Sequence, residues 1–298
     1  MSQFTEPILR DALRAVCAEH DLPHRGARLL HHYSNAVFVL PAVNVVVRFT
    51  TSKRIGQTIA ASQSMVSRLI HENGLPATEP IERLTPVRLS SGLTASFWRY
   101  YRQPEPGQQF AATDLAELIR QLHVVRGLDE GLPRWEALSS LRGELSREEP
   151  LHGLSHAEAE WLRDTASDIA QNVSSQAWPL GVGLIHGDAW VGNLLWNGRE
   201  PTLGDWDNVS VGPREVDLIP TWHAAVRYGR DWVPEFVDVY GHDLADNPTF
   251  DLLLRMRDLA QLTGPLKRAA ESPQHHAVLR QRLDAIRSGD RTQRWLAL

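Results

Sequence analysis

Residues 184–218 read LIHGDAWVGNLLWNGREPTLGDWDNVSVGPREVDL. The stretch opens with His186-Gly187-Asp188, places Asn193 five residues after that aspartate, and continues to Asp205 and Asp207. Short apolar runs around 182–185, 193–196 and 202–206 read as strands. Asn197-Gly198 between two of them is a strong hairpin turn signal, because both residues tolerate the left-handed backbone a tight turn needs. A loop followed by a hairpin brings Asp188, Asn193 and Asp205 together over a short length of chain. Glycine before aspartate alone is ordinary turn chemistry. The combination with Asn193 and Asp205 at this spacing supplies one carboxylate able to orient a hydroxyl and hard oxygens able to hold a divalent cation.

Outward from this stretch the chain changes texture twice. Thr5, Glu6 and Pro7 form a helix start with threonine able to cap, and apolar residues at helical spacing predict a helix over 6–20. From 28 to 50, β-branched and aromatic runs predict two or three antiparallel strands. Helical spacing returns over 54–73 and stops at Asn73-Gly74, and strands are predicted at 86–90 and 94–101. Gln103-Pro104-Glu105-Pro106-Gly107 extends neither regular structure and reads as a linker. Beyond it helices dominate, at 111–126, 155–174, 213–228 and 248–288; Ser155 and Glu158 form a capping box. The expected architecture is α+β with two lobes: an antiparallel-sheet N-terminal lobe over 1–102, a hinge at 103–107, and a larger helical lobe over 108–298.

Bulk properties narrow the class. The 298 residues are 42% hydrophobic and 22% charged, as in ordinary soluble proteins. A net charge of −5 disfavours a nucleic-acid partner, which needs a basic surface. The lone Cys17 excludes an intrachain disulfide and a cysteine zinc site. No run approaches the roughly 20 apolar residues that span a bilayer. The expectation is a cytoplasmic protein with neither a nucleic-acid nor a membrane partner.

On these residues the chain resembles the aminoglycoside phosphotransferase and choline kinase superfamily, whose catalytic loop reads H-G-D-x-x-x-x-N and whose metal loop carries an aspartate after a strand. The resemblance implies a protein-kinase-like fold and an ATP- (or GTP-) and Mg²⁺-dependent transfer of phosphate to a hydroxyl of a small molecule. Residue by residue, it implies Asp188 as catalytic base, Asn193 and Asp205 as metal ligands, His186 as a brace for the loop, Asp207 as an assistant to the metal and Asp217 as a support of the catalytic loop. Ser34 and Asn35 resemble the phosphate-covering turn, and Arg48 stands on the strand that bears a basic residue for the phosphates. Leu118, Gln121, Leu122 and His123 resemble the family's helix ending in Leu-His. Two positions depart from the pattern. Kinases commonly have lysine where Arg48 stands, and Gln63 occupies the place of the glutamate that pairs with that base; an amide oxygen there can orient Arg48 without supplying charge.

Each residue also has a plainer reading. Arg48 can be a strand-edge arginine, and Ser34 and Asn35 turn formers. Trp190, inside the loop, can stack on a cyclic substrate or fill core. His31-His32 and His275-His276 lack metal-site spacing and read as surface residues. The acidic residues from Asp231 to Asp258 can attract a cationic substrate or form a solvated helical face. Two other functions stay open: a degenerate scaffold, nucleotide-binding or nucleotide-indifferent, suggested by Gln63, and a metal-dependent hydrolase with His186, Asp188, Asp205 and Asp207 as ligands.

Overall fold

The computed structural model describes residues 4–32, 35–51, 56–104, 107, 109–149 and 151–298. It resolves into two compact units, each gathered from separate stretches of chain. The first comprises residues 1–110, 124–133 and 191–210; the second comprises 111–123, 134–190 and 211–298.

The first unit is built on a five-stranded antiparallel sheet in the order β1-β2-β3-β5-β4. The strands are Arg28–His32, Ala36–Leu40, Val45–Thr50, Val87–Arg88 (β4) and Thr94–Arg99 (β5). On β3 alternate side chains point to opposite faces. Val45, Val47 and Phe49 enter the core with Phe38, Phe97 and the apolar stripe Leu9, Leu13 and Val16 of α1 (Glu6–Glu19), leaving Arg48 on the other face. Thr5 sits at the N-cap of α1, but its side chain accepts no capping bond. Helix α2 (Gly56–Asn73) ends as the sequence predicts. Gly74 takes φ +67°, and the Gly74 and Leu75 amides donate back to Ile70 and Leu69 carbonyls. The chain leaving α2 then pairs with the later hairpin: Thr78 N donates to Leu203 O at 2.8 Å, and Leu203 N to Pro76 O at 2.9 Å. That hairpin, β7 (Leu194–Trp196) and β8 (Pro201–Leu203), is antiparallel as expected, with Asn197 Oδ1 accepting the amides of Arg199 and Glu200 across the turn. Gln103, in the predicted linker, clamps it by two bonds to the Trp196 backbone; Glu105, Pro106 and Gln108 lie outside the described residues.

The second unit is mainly helical: α3 (Ala112–Val124), α4 (Ser139–Leu145), α5 (His156–Ser174), α6 (Glu215–Tyr228), α7 (Val233–Tyr240), α8 (Phe250–Ala260), α9 (Thr263–Arg268) and α10 (Pro273–Ser288), with β6 (Val182–Ile185) paired to β9 (Ser210–Pro213). The helical texture over 248–288 resolves into three helices, broken where Ser272 caps and Pro273 opens α10. Helices α4 and α7, of seven and eight residues, and strand β9 are absent from the sequence expectation, because elements so short show no period. Helix α6 is buried on nearly every side over Glu215–Ala224. The mixed α+β architecture, an antiparallel-sheet N-terminal lobe with a helical C-terminal part, stands as expected. No described helix is long and apolar enough to cross a membrane.

The capping box of α5 forms in full. Ser155 Oγ accepts from Glu158 N, and the Glu158 carboxylate accepts from Ser155 N and pairs with Arg280 at 2.8 Å. The Ser155 amide and Arg280 hold the Glu158 carboxyl near pKa 2. Its contribution to stability is therefore present above about pH 4.5 and is lost as pH falls toward 2. Ser155→Ala is expected to cost about 1 kcal/mol, read as a fall in Tm of about 2 °C in a thermal unfolding scan.

Candidate active site

Arg48 is 15% exposed, and its Nη2 donates to Asp205 Oδ1 and Asp207 Oδ2, each at 2.7 Å. Asn35 Nδ2 donates to the same Asp207 oxygen at 3.0 Å. Burial works against the Arg48 charge, but the two carboxylates more than offset it and raise its pKa further. Burial and the neighbouring Asp205 carboxylate push the Asp207 carboxyl above its ordinary range, more than Arg48 and Asn35 lower it, although 36% of the side chain stays exposed. Asp205 itself takes φ +60°, ψ +60°, a left-handed conformation uncommon outside glycine. Gly204 before it lies against Thr78 Cγ2 and Asn193 O, where a Cβ would meet atoms at 3.2 and 3.3 Å. Its amide donates to Asn193 O at 2.9 Å, so Asn193 and the Asp205 turn are held together by backbone. Arg48, Asn35, Asn193, Asp205 and Asp207 thus lie in one unit. Ser34 lies outside the described residues.

Gln63 does not orient Arg48. It is buried on α2, and its Nε2 donates to the Phe97 carbonyl at 3.0 Å, which ties the helix to the sheet. Arg48 is positioned by aspartates instead.

In the second unit Asp217, fully buried near the start of α6, organises the loop bearing His186 and Asp188. Its oxygens accept from His186 N and Gly187 N, both at 2.7 Å, and from His123 Nε2 at 3.1 Å. With a carboxylate at Nε2, that nitrogen carries the hydrogen, and Nδ1 accepts from Tyr240 OH at 2.8 Å. Burial raises the Tyr240 phenol above its ordinary value, keeping it a donor. Gly187 takes φ +81°, the bend that exposes Asp188. His186 is fully buried, and Asp188 N donates to its Nδ1 at 3.4 Å. Asp188 is 33% exposed and receives Arg257 Nη2 at 3.1 Å. Tyr240 and Arg257 carry no signal in local sequence; each meets its partner only through the packing of α7 and α8.

Trp190 keeps 45% of its surface exposed, whereas Trp206 and Trp222 are core. His275 is buried, contrary to the surface reading, because α10 turns that face inward. Among the described residues no three His, Cys, Asp or Glu side chains are grouped as metal ligands. Two carboxylates and an asparagine still suit Mg²⁺, a hard cation that keeps waters and takes other oxygens from a triphosphate.

A model of the phosphotransferase enzyme family matches residues 8–259. The chain belongs to that family. Solved structures share its fold at low identity. An amicoumacin kinase, in complex with AMP-PNP, Ca²⁺ and Ami, is 13% identical, with 98% of each chain covered and a TM-score of 0.72. A microcompartment-associated aminopropanol kinase is 16% identical over 95% of this chain and 99% of its own, with a TM-score of 0.70. The GDP complex of an aminoglycoside 2'-phosphotransferase-IIIa is 13% identical over 95% and 99%, with a TM-score of 0.63. No curated protein sequence matches the chain.

Proposed function

We propose that this family member is an Mg²⁺- and ATP- (or GTP-) dependent kinase that phosphorylates a hydroxyl of a small molecule. The observation that carries the reading is the Arg48–Asp205–Asp207 cluster: a buried guanidinium and two carboxylates, with Asn193 backbone-tied beside Asp205. In this reading Asn193 and Asp205 hold Mg²⁺, assisted by Asp207, and the metal offsets charge on the triphosphate. Arg48 contacts phosphate oxygens. Asn35 steadies Asp207, and Ser34 and Asn35 are assigned to nucleotide contact, as the resemblance implies. Asp188, braced through His186 and Asp217, orients the acceptor hydroxyl and takes its proton. Trp190, exposed on the same loop as Asp188, contacts the acceptor. Such catalysis rests on positioning and electrostatics rather than covalent chemistry. We place the protein in the cytoplasm, with no nucleic-acid or membrane partner.

The scaffold reading rested on Gln63, whose amide is engaged by the Phe97 carbonyl while Arg48 has two carboxylate partners. The hydrolase reading needs His186 as a ligand, and that imidazole is wholly buried.

A thermal unfolding scan with and without Mg-ATP and Mg-GTP tests the nucleotide half. At about a hundred times its Kd a nucleotide should stabilise by about 2.7 kcal/mol, a rise of several degrees in Tm. The rise should require Mg²⁺ and shrink in Asp205→Asn. No shift with either nucleotide at millimolar concentration would return the scaffold reading to the front.

A further inference from the structure

The acceptor is unnamed in that reading, and the contact between Arg257 and Asp188 bears on it. The two residues are 69 apart in sequence, and Nη2 of Arg257, on the last turn of α8, lies 3.1 Å from Asp188 Oδ1. A guanidinium has five donors in a fixed plane. Arg257 is 17% exposed, and its Nε is buried with no partner among the described residues. Other buried arginines of the same unit are engaged by the protein. Arg227 forks onto both oxygens of Asp258 and reaches Asp290 O, and Arg214 reaches His123 O and Leu180 O. What sets Arg257 apart is its partner, the one carboxylate that must yield an oxygen to an incoming hydroxyl.

Three of the seven acidic side chains in the stretch Asp231–Asp258 are engaged by the protein. Asp258 pairs with Arg227 and His223, Asp251 with Arg291, and Asp243 accepts from Trp222 Nε1 and Ala245 N. Arg257 stands beside Asp188 as a fixed charge whose planar fork fits a carboxylate.

Building on the kinase reading above, we propose that Arg257 recognises the acceptor and that the acceptor is a hydroxy acid, with its carboxylate a few bonds from the hydroxyl that is phosphorylated. The hydroxyl sits on the Asp188 oxygen and the carboxylate on the exposed edge of Arg257, about 4–6 Å apart by ordinary hydrogen-bond lengths. In the transfer the hydroxyl proton passes to Asp188, the oxygen bonds to the γ-phosphorus, and the bond from that phosphorus to the β,γ-bridging oxygen breaks. The nucleoside diphosphate leaves, and the carboxylate stays on Arg257 unchanged.

The test measures steady-state transfer from Mg-ATP to glycerate and L-homoserine, each against its neutral amide, and to kanamycin as a polycation. Wild type should favour the acids over the amides by at least ~10-fold in kcat/KM. Arg257→Gln should raise KM for the acids ~10- to 100-fold, erase the acid-to-amide preference and leave the Mg-nucleotide thermal shift unchanged. Arg257→Lys, which keeps the charge without the fork, should restore part of the preference and serves as the second variant if the glutamine variant is unstable. Equal use of amides, a preference for kanamycin, or an unchanged acid preference in Arg257→Gln would overturn the proposal while leaving the kinase reading intact. Transfer to no acceptor, with the nucleotide shift present, would overturn both.

Discussion

Asp188→Asn should leave the protein folded and nucleotide-bound but lower phosphoryl transfer by about a thousand-fold or more, within what a positioned general base supplies. The substitution keeps the shape of the side chain and removes its ability to take a proton. The fold should survive because Asp188 holds little of it in place. The loop is held by Asp217, through the His186 and Gly187 amides, and by the buried His186 ring. Three readouts separate the explanations: the transfer rate, the unfolding temperature and the Mg-nucleotide shift. Loss of transfer with the other two intact assigns the chemistry to Asp188. Wild-type turnover in a folded Asp188→Asn protein would remove it from the mechanism. Misfolding would show instead as a lowered Tm.

Asp258→Leu should be the most damaging single change to stability, costing about 3–5 kcal/mol. Arg227 is 2% exposed, and its guanidinium rests on both Asp258 oxygens at 2.9 and 2.6 Å and over the Trp295 ring at 4.6 Å. Without the carboxylate a buried charge is left uncompensated, which is worse than the loss of an exposed pair. The same cluster makes stability depend on pH. His223 Nε2 lies 3.1 Å from Asp258, and burial lowers the imidazole to a pKa of about 4 from 6.5. Below pH 6.5 the unfolded chain binds a proton there that the native state does not take until about pH 4. Stability from this group is thus whole above pH 6.5 and falls, by up to about 3 kcal/mol, as pH drops through that window. Denaturant unfolding of the wild type at pH 6.5 and near pH 4 should show the fall, and His223→Phe should flatten it. A cost below about 1 kcal/mol for Asp258→Leu would mean that the cluster behaves as an exposed pair.

Much of this molecule can be read from short stretches of its chain. The capping box at Ser155, the stop at Gly74, the turn at Asn197-Gly198 and the alternation that turns Arg48 away from the core all depend on a few neighbouring residues and on backbone sterics. So does the spacing of Asp188, Asn193 and Asp205. The partners of those side chains are a different matter. Arg48 meets Asp205 and Asp207 across more than 150 residues, Asp217 meets His123 across 94, and Arg257 meets Asp188 across 69. Gln63 reads as a weakened phosphate partner and proves to be a tie between α2 and β5. Local periodicity determines which face a residue takes, because a strand or helix repeats its geometry over a few residues. It carries no information on which distant element will pack against that face. That choice follows from burial of apolar area and from pairing of buried charge over the whole chain, and here it decides both what holds Arg48 and what stands beside Asp188.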